Sequence, residues 1–189
     1  MKTYVLLKNG FEEVEALTVV DYLRRADISV KTVSMERDLE VTGSHQIKIL
    51  ADMLFENLDF EEVELLFIPG GMPAAEDLSN DAKVVELVKY LDKRGRALAS
   101  ICAGPIVFGK SDIIKDKKIT SYPSFEEKIP NLGEYGEDLV VVCENVITSR
   151  GPATAVLLAL ELIELIKGNR IRNQVEKDIL LDLVRGKIC

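Results

Sequence analysis

Three features of this 189-residue chain predict a three-layer α/β/α sandwich built on a mostly parallel sheet. Short apolar, β-branched runs alternate with longer amphipathic stretches, the pattern of successive βαβ units. No repeat or low-complexity linker interrupts that alternation, so residues 1–189 read as a single domain, a size that buries roughly 70% of the surface its unfolded chain exposes. The composition, 47% hydrophobic with 30% charged residues, excludes disordered and fibrous classes.

Tyr4-Val5-Leu6-Leu7 reads as a buried strand broken by Asn9-Gly10. Glu12 to Ala26 follows as a helix, acidic in its first turn and carrying Arg24 and Arg25 in its last, as the helix dipole favours. Ile28 to Val33 is the second strand, and Glu36 to Leu50 alternates like a half-exposed edge hairpin. Glu64 to Ile68 is the next central strand, ended by Pro69-Gly70-Gly71, and Asp81 to Arg94 is helical with Val84, Leu87, Val88 and Leu91 on one face. Ala97 to Ile101 is a short buried strand that runs straight into Cys102. Beyond it the spacing predicts a strand at Lys118–Thr120 and a helical turn at Ser124–Lys128. A hairpin of Leu139–Cys143 and Val146–Thr148 follows, turned by Asn145, and then helices at Ala153–Ile166 and Gln174–Val184. In such a sandwich ligands sit beyond the carboxyl ends of the parallel strands.

Charge and cysteine usage narrow the function. With 24 Lys+Arg against 32 Asp+Glu, the net charge of -8 repels polyanions, so neither nucleic acid nor an anionic membrane is the expected partner. Neither a signal peptide nor a transmembrane helix is expected, because no run nears the ~18–20 apolar residues of a span. Three scattered cysteines make no disulfide framework and suit a reducing cytoplasm. A single histidine, His45, without any CxxC or HExxH motif, predicts no metal site.

Ala99-Ser100-Ile101-Cys102-Ala103-Gly104 has the form of a nucleophile elbow with cysteine in place of serine. The nucleophile of an elbow occupies a strained turn, so the positions two before and two after it must be small, and Ser100 and Gly104 meet that demand. Pro105 suits the first turn of a following helix, whose dipole is expected to lower the Cys102 pKa. An amide of the Gly70-Gly71 pair and the Ala103 amide lie at the same end of the sheet as candidate oxyanion donors. Glu12, Glu13 and Glu15 all fall just beyond the first strand, and periodicity does not choose among them. Their alternative is a solvated face that compensates the helix dipole.

Gly10-Phe11-Glu12-Glu13-Val14-Glu15-Ala16, Ile68-Pro69-Gly70-Gly71, the Cys102 elbow through Pro105, and Thr148-Ser149-Arg150-Gly151-Pro152 together resemble motifs of the ThiJ/PfpI superfamily, a class I glutamine amidotransferase-like group. They most resemble the branch of the parkinsonism-associated protein deglycase and its bacterial counterparts. The resemblance covers nearly the whole chain in order. It implies a flavodoxin-like fold, usually homodimeric, with Cys102 as nucleophile, Glu15 as the carboxyl group hydrogen-bonded to it, and the Gly71 and Ala103 amides as oxyanion donors. Where many members carry a histidine before a proline, this chain has Tyr122-Pro123. His45 aligns near the family's dimer interface, so Tyr122 and His45 are both possible substrate contacts.

The resemblance implies a cofactor-free enzyme acting on small reactive carbonyls, glyoxalase III-like or deglycase-like, through Cys102 and Glu15. Its alternative is a redox-sensing or chaperone-like stress protein whose Cys102 is oxidised. A peptidase lacks its histidine, and a thiazole-monophosphate biosynthesis role lacks any phosphate-binding loop.

Overall fold

The structure, a computed structural model, describes residues 1–187. Strand β1 (Lys2–Leu7) leads into helix α1 (Glu13–Arg25) and strand β2 (Ser29–Ser34). Strands β3 (Glu40–Thr42) and β4 (Lys48–Leu50) form the expected hairpin as a separate two-stranded sheet, after which β5 (Met53–Leu54) rejoins the main one. Then come β6 (Leu65–Ile68), α2 (Ala74–Asn80), α3 (Ala82–Asp92), β7 (Ala97–Ile101) and α4 (Pro105–Lys110). The short β8 (Lys118–Ile119) and β9 (Glu134–Tyr135) pair with each other. The chain continues through β10 (Val140–Cys143), β11 (Val146–Ser149), α5 (Ala155–Lys167), α6 (Asn169–Asp178) and α7 (Leu181–Arg185).

The main sheet has the order β10-β11-β7-β6-β1-β2-β5. Every neighbouring pair in it is parallel except β10 with β11. The two-residue period of a strand splits its side chains between two cores. Val5 and Leu7 of β1 and Leu65 and Phe67 of β6 face α1, α5 and α6, whereas Tyr4, Leu6, Leu66 and Ile68 face α2, α3 and α4. Helix α1 buries the stripe Ala16, Val19, Val20 and Leu23, and the Glu12 carboxylate caps it by accepting from the Val14 amide at 3.3 Å. The strand order reverses between β1 and β6, which makes their carboxyl ends the expected ligand crevice. Among the described residues no helix is long and apolar enough to cross a membrane.

One local expectation needs correction, one turn gains detail, and two elements go unread in the sequence. The helix expected over Gln174–Val184 is two helices, α6 and α7, because Leu180 adopts a left-handed backbone (φ 61°) between them. The β10–β11 turn is Glu144-Asn145, as expected, with the positive φ (54°) taken by Glu144. The Asn145 amide instead donates to the Arg96 carbonyl at 3.0 Å and to Asp92 at 3.1 Å, tying the turn to the start of β7. Helix α2 and strand β5 carry too little periodic signal to be read in sequence, being seven and two residues long.

Phe67 is fully buried on β6, flanked by β1 and β7. Phe67→Ala is expected to cost about 3–5 kcal/mol through lost burial and the cavity left behind. Urea unfolding should show a lower midpoint with an unchanged slope.

Candidate active site

The site grows from the ends of three neighbouring strands. Beyond β1 the chain turns through Gly10 into α1, which brings Glu12 and Glu15 over the sheet edge; beyond β6 runs Pro69 to Pro73; beyond β7 stands Cys102. Cys102 has φ 60°, the left-handed backbone that an elbow requires and that a side chain bearing Cβ adopts only at a cost of ~1–3 kcal/mol. Its amide donates to the Ser149 carbonyl (3.0 Å), and its carbonyl accepts from the Tyr122 amide (3.1 Å), so both neighbouring segments hold the turn. A Cβ on Gly104 would run into the Ser100 hydroxyl and come within 2.7 Å of the Ile68 carbonyl. The small residues read from the sequence are therefore required by the close packing of the elbow on β6.

Glu15 is completely buried. Its Oε2 accepts from the Gly70 amide at 2.8 Å, while Oε1 has no hydrogen-bond partner among the described residues. Burial raises its pKa to about 7, against the lowering effect of the Gly70 amide and of the adjacent Cys102 thiol. The charged neighbour that raises it further is Glu12, so the elevation comes mainly from burial rather than from a thiolate.

The Cys102 expectation is overturned. Burial pushes its thiol pKa up, and the neighbouring Glu15 carboxylate adds to this, while the Ala103 amide pulls the other way. The helix that was to lower it, α4, is only six residues long, so it offers little aligned dipole. With both acids raised, the pair favours holding a proton, and Glu15 is the partner poised to release it near neutrality.

The three glutamates at the start of α1 have three environments. Glu13 is buried, and one oxygen accepts from the His45 amide at 2.7 Å while the other meets His45 Nδ1 at 2.8 Å and the Ser44 hydroxyl at 3.2 Å. Burial alone would raise its pKa; the hydrogen bonds from the His45 ring and from backbone amides lower it to about 2. Reciprocally, the hydrogen bond to Glu13 raises the His45 pKa. Two of the three acids are thus buried with specific tasks rather than forming a solvated face.

These groups border a cleft of about 310 Å³ lined by Glu12, Glu15, Gly71, Cys102, Ala103 and Tyr122. Gly71 has φ 97°, and a Cβ there would lie 2.5 Å from the Glu12 amide, so glycine alone fits where the loop passes α1. Of the residues singled out in sequence, Cys102, Glu15, Gly71, Ala103 and Tyr122 come together, and His45 does not: it lies outside the cleft, mostly exposed and bound to Glu13. Met72, Phe125 and Pro152 complete the wall and were not anticipated. Met72 follows the Pro69–Gly71 run, Phe125 lies in the expected Ser124–Lys128 turn and Pro152 ends the Thr148–Pro152 motif, and their position at the carboxyl ends of the strands is the signal that could have found them.

A doubly wound sheet with a cysteine elbow facing a buried carboxyl group defines a class of cysteine-centred α/β proteins. The chain belongs to the DJ-1/PfpI family, which matches residues 1–165. It is 33% identical to "Protein dj-1beta" of Drosophila melanogaster, over 94% of this chain and 95% of that protein. To "Deglycase PH1704" of Pyrococcus horikoshii it is 32% identical, over 88% of this chain and all of that one. It spans only 40% of "Protein DJ-1 homolog B" of Arabidopsis thaliana, at 33% identity over 94% of this chain. The crystal structure of Drosophila melanogaster DJ-1beta superposes with a TM-score of 0.91 at 32% identity, covering 95% of this chain and 98% of that one.

The raised Glu15 pKa fixes a sign for stability. Its native pKa of about 7 exceeds the ordinary 4.5, so the native state binds this proton more tightly than the unfolded chain does. Stability is therefore lost as pH rises from 4.5 through about 7, by about 3 kcal/mol. Thermal melts across this window should show that decline in the wild type and a smaller one in Glu15→Gln.

Proposed function

We propose that the protein is a cofactor-free enzyme that converts small reactive carbonyl compounds, glyoxalase III-like or deglycase-like, with Cys102 as nucleophile and Glu15 as its proton partner. The observation that carries this reading is a buried carboxyl group with a pKa near neutrality beside a cysteine at an open elbow. A group that titrates near the working pH is the one suited to take and return protons. The relative named as a deglycase supports the same chemistry.

For an α-oxoaldehyde the proposed steps are these. The thiol proton passes to Glu15 as sulfur attacks the aldehyde carbon; the C–S bond forms as the C=O π bond breaks, and Glu15 returns that proton to the oxygen, which gives the hemithioacetal and leaves Glu15 a carboxylate again. The Gly71 and Ala103 amides border the place where the oxygen becomes charged. Glu15 then removes the hydrogen of the hemithioacetal carbon and a proton returns to the adjacent carbon, leaving a thioester. Water hydrolyses the thioester, releasing a 2-hydroxy acid and the free thiol; the net change is addition of one water. Tyr122 lines the cleft with half its surface exposed, which supports a role for its hydroxyl as a donor to a substrate oxygen.

With methylglyoxal as substrate, wild-type protein should release lactate, Cys102→Ser should release none, and Glu15→Gln should lose about 10²–10⁴-fold in kcat. Glu12→Gln and Glu13→Gln should lose far less. The rate should rise with pH as Glu15 ionises through about 7. Absence of turnover in protein free of contaminating glyoxalase would refute the assignment.

We also propose a homodimer through α1 and the β3–β4 hairpin. Val14, Leu17, Ile47 and Leu50 are exposed apolar side chains on these two elements, which Glu13 fastens together. Light scattering should give twice the chain mass, and Leu17→Asp should shift the protein towards the monomer.

A further inference from the structure

Resting on the carbonyl reading above, we propose that the cleft selects uncharged electrophiles carrying a flat apolar substituent and rejects anionic ones, with Phe125 and Tyr122 as the selecting wall and Glu12 as the rejecting group.

The charge pattern is one-sided. Glu12 and Glu15 both line the cleft, and no lysine or arginine lines it among the described residues. Three basic side chains that adjoin lining residues in space or sequence are engaged elsewhere, among them Arg150, which donates to the Glu137 carbonyl at 2.8 Å. His45 stands 3.4 Å from Glu12 outside the cleft and is held at 2.8 Å by Glu13, and Lys128 lies 5.0 Å from the centre of the Phe125 ring without reaching the lining. A carboxylate or phosphate on the substrate would enter beside two carboxyl groups, and the one basic group close to either of them among the described residues, His45, is held on Glu13 outside the cleft.

The walls supply the complementary attraction. Tyr122-Pro123-Ser124-Phe125 is a tight turn closed by the Phe125 amide donating to the Tyr122 carbonyl at 2.9 Å. Ser124 takes a positive φ of 65° within it, and both aromatic residues of the turn line the cleft. Met72 and Pro152 continue the apolar surface. At about 310 Å³ the space sits at the small end of the range for small-molecule sites and suits one planar ring beside the reacting carbonyl. Glu15 lines the cleft, and its buried Oε1 has no hydrogen-bond partner among the described residues, so it is an acceptor free to take a donor. A hemithioacetal hydroxyl supplies that donor and a carboxylate does not.

The test separates binding selectivity from turnover. Alkylation of Cys102 by iodoacetamide, iodoacetate and N-phenyl iodoacetamide, read by mass spectrometry of its peptide, is normalised to the same reactions of a small free thiol. Iodoacetate should be disfavoured about tenfold or more against iodoacetamide. The phenyl reagent should be favoured by about tenfold. Phe125→Ala should erase the preference for the phenyl reagent, Phe125→Leu should keep part of it, and Glu12→Gln should narrow the gap between iodoacetamide and iodoacetate. Alongside, kcat/KM should be higher for phenylglyoxal than for para-carboxyphenylglyoxal by a similar factor. Equal normalised rates for the three alkylating reagents would overturn the proposal. Turnover of both glyoxals at equal rates would overturn it as well, leaving the carbonyl reading intact. The labelling pattern with no turnover of either glyoxal would sustain the selectivity and remove the carbonyl reading.

Discussion

Everything at the site depends on one buried carboxyl group that has no cation beside it. Glu15 is held only by the Gly70 amide and the flank of Cys102, so the fold must carry the cost of its desolvation. That requirement fixes several neighbours at once. Helix α1 has to begin where the β1 end brings its first turn against the β6 loop, and that loop has to be glycine at 70 and 71 for the backbones to approach. The elbow after β7 has to put Cys102 on the same side. Parallel strands make this possible, because their carboxyl ends deliver three loops to one place.

The sheet itself was plainly legible in the sequence. Its central strands are short, apolar and β-branched, buried on both faces, and bounded by glycine or a charge change, so their periodicity is unambiguous. The elbow was legible for a different reason: small residues two positions either side of a cysteine at a strand end are demanded by sterics and are visible as letters. What sequence did not show was the environment of individual acids. Glu12, Glu13 and Glu15 look alike in a helix's first turn, and only the docking of a hairpin from residues 40–50 distinguishes a clamped Glu13 from a protonatable Glu15.

The direction of the Cys102 shift was misread because a helix start promises a positive dipole whatever follows, whereas here a six-residue helix meets deep burial and a neighbouring carboxylate. Desolvation outweighs a short dipole. Likewise the final helix was read through Leu180 because a single residue in left-handed conformation leaves no trace in an amphipathic pattern. The wall residues Met72, Phe125 and Pro152 sit in segments without periodicity, where local turns and tertiary packing, not an amphipathic pattern, place the chain.

The clamp on Glu13 has a consequence for how this stretch of chain can drift. A substitution table scores glutamate to glutamine as equally mild at positions 12, 13 and 15, yet the change means something different at each. At 13 it weakens the acceptor that gathers the Ser44–Ile47 loop onto α1. At 12 it leaves an amide oxygen still able to cap the helix. At 15 it trades chemistry for a more easily buried group. Three neighbouring acids in one motif thus accumulate changes under three separate pressures: assembly of a loop, tolerance at a helix start, and loss of reactivity that makes the folded chain sturdier.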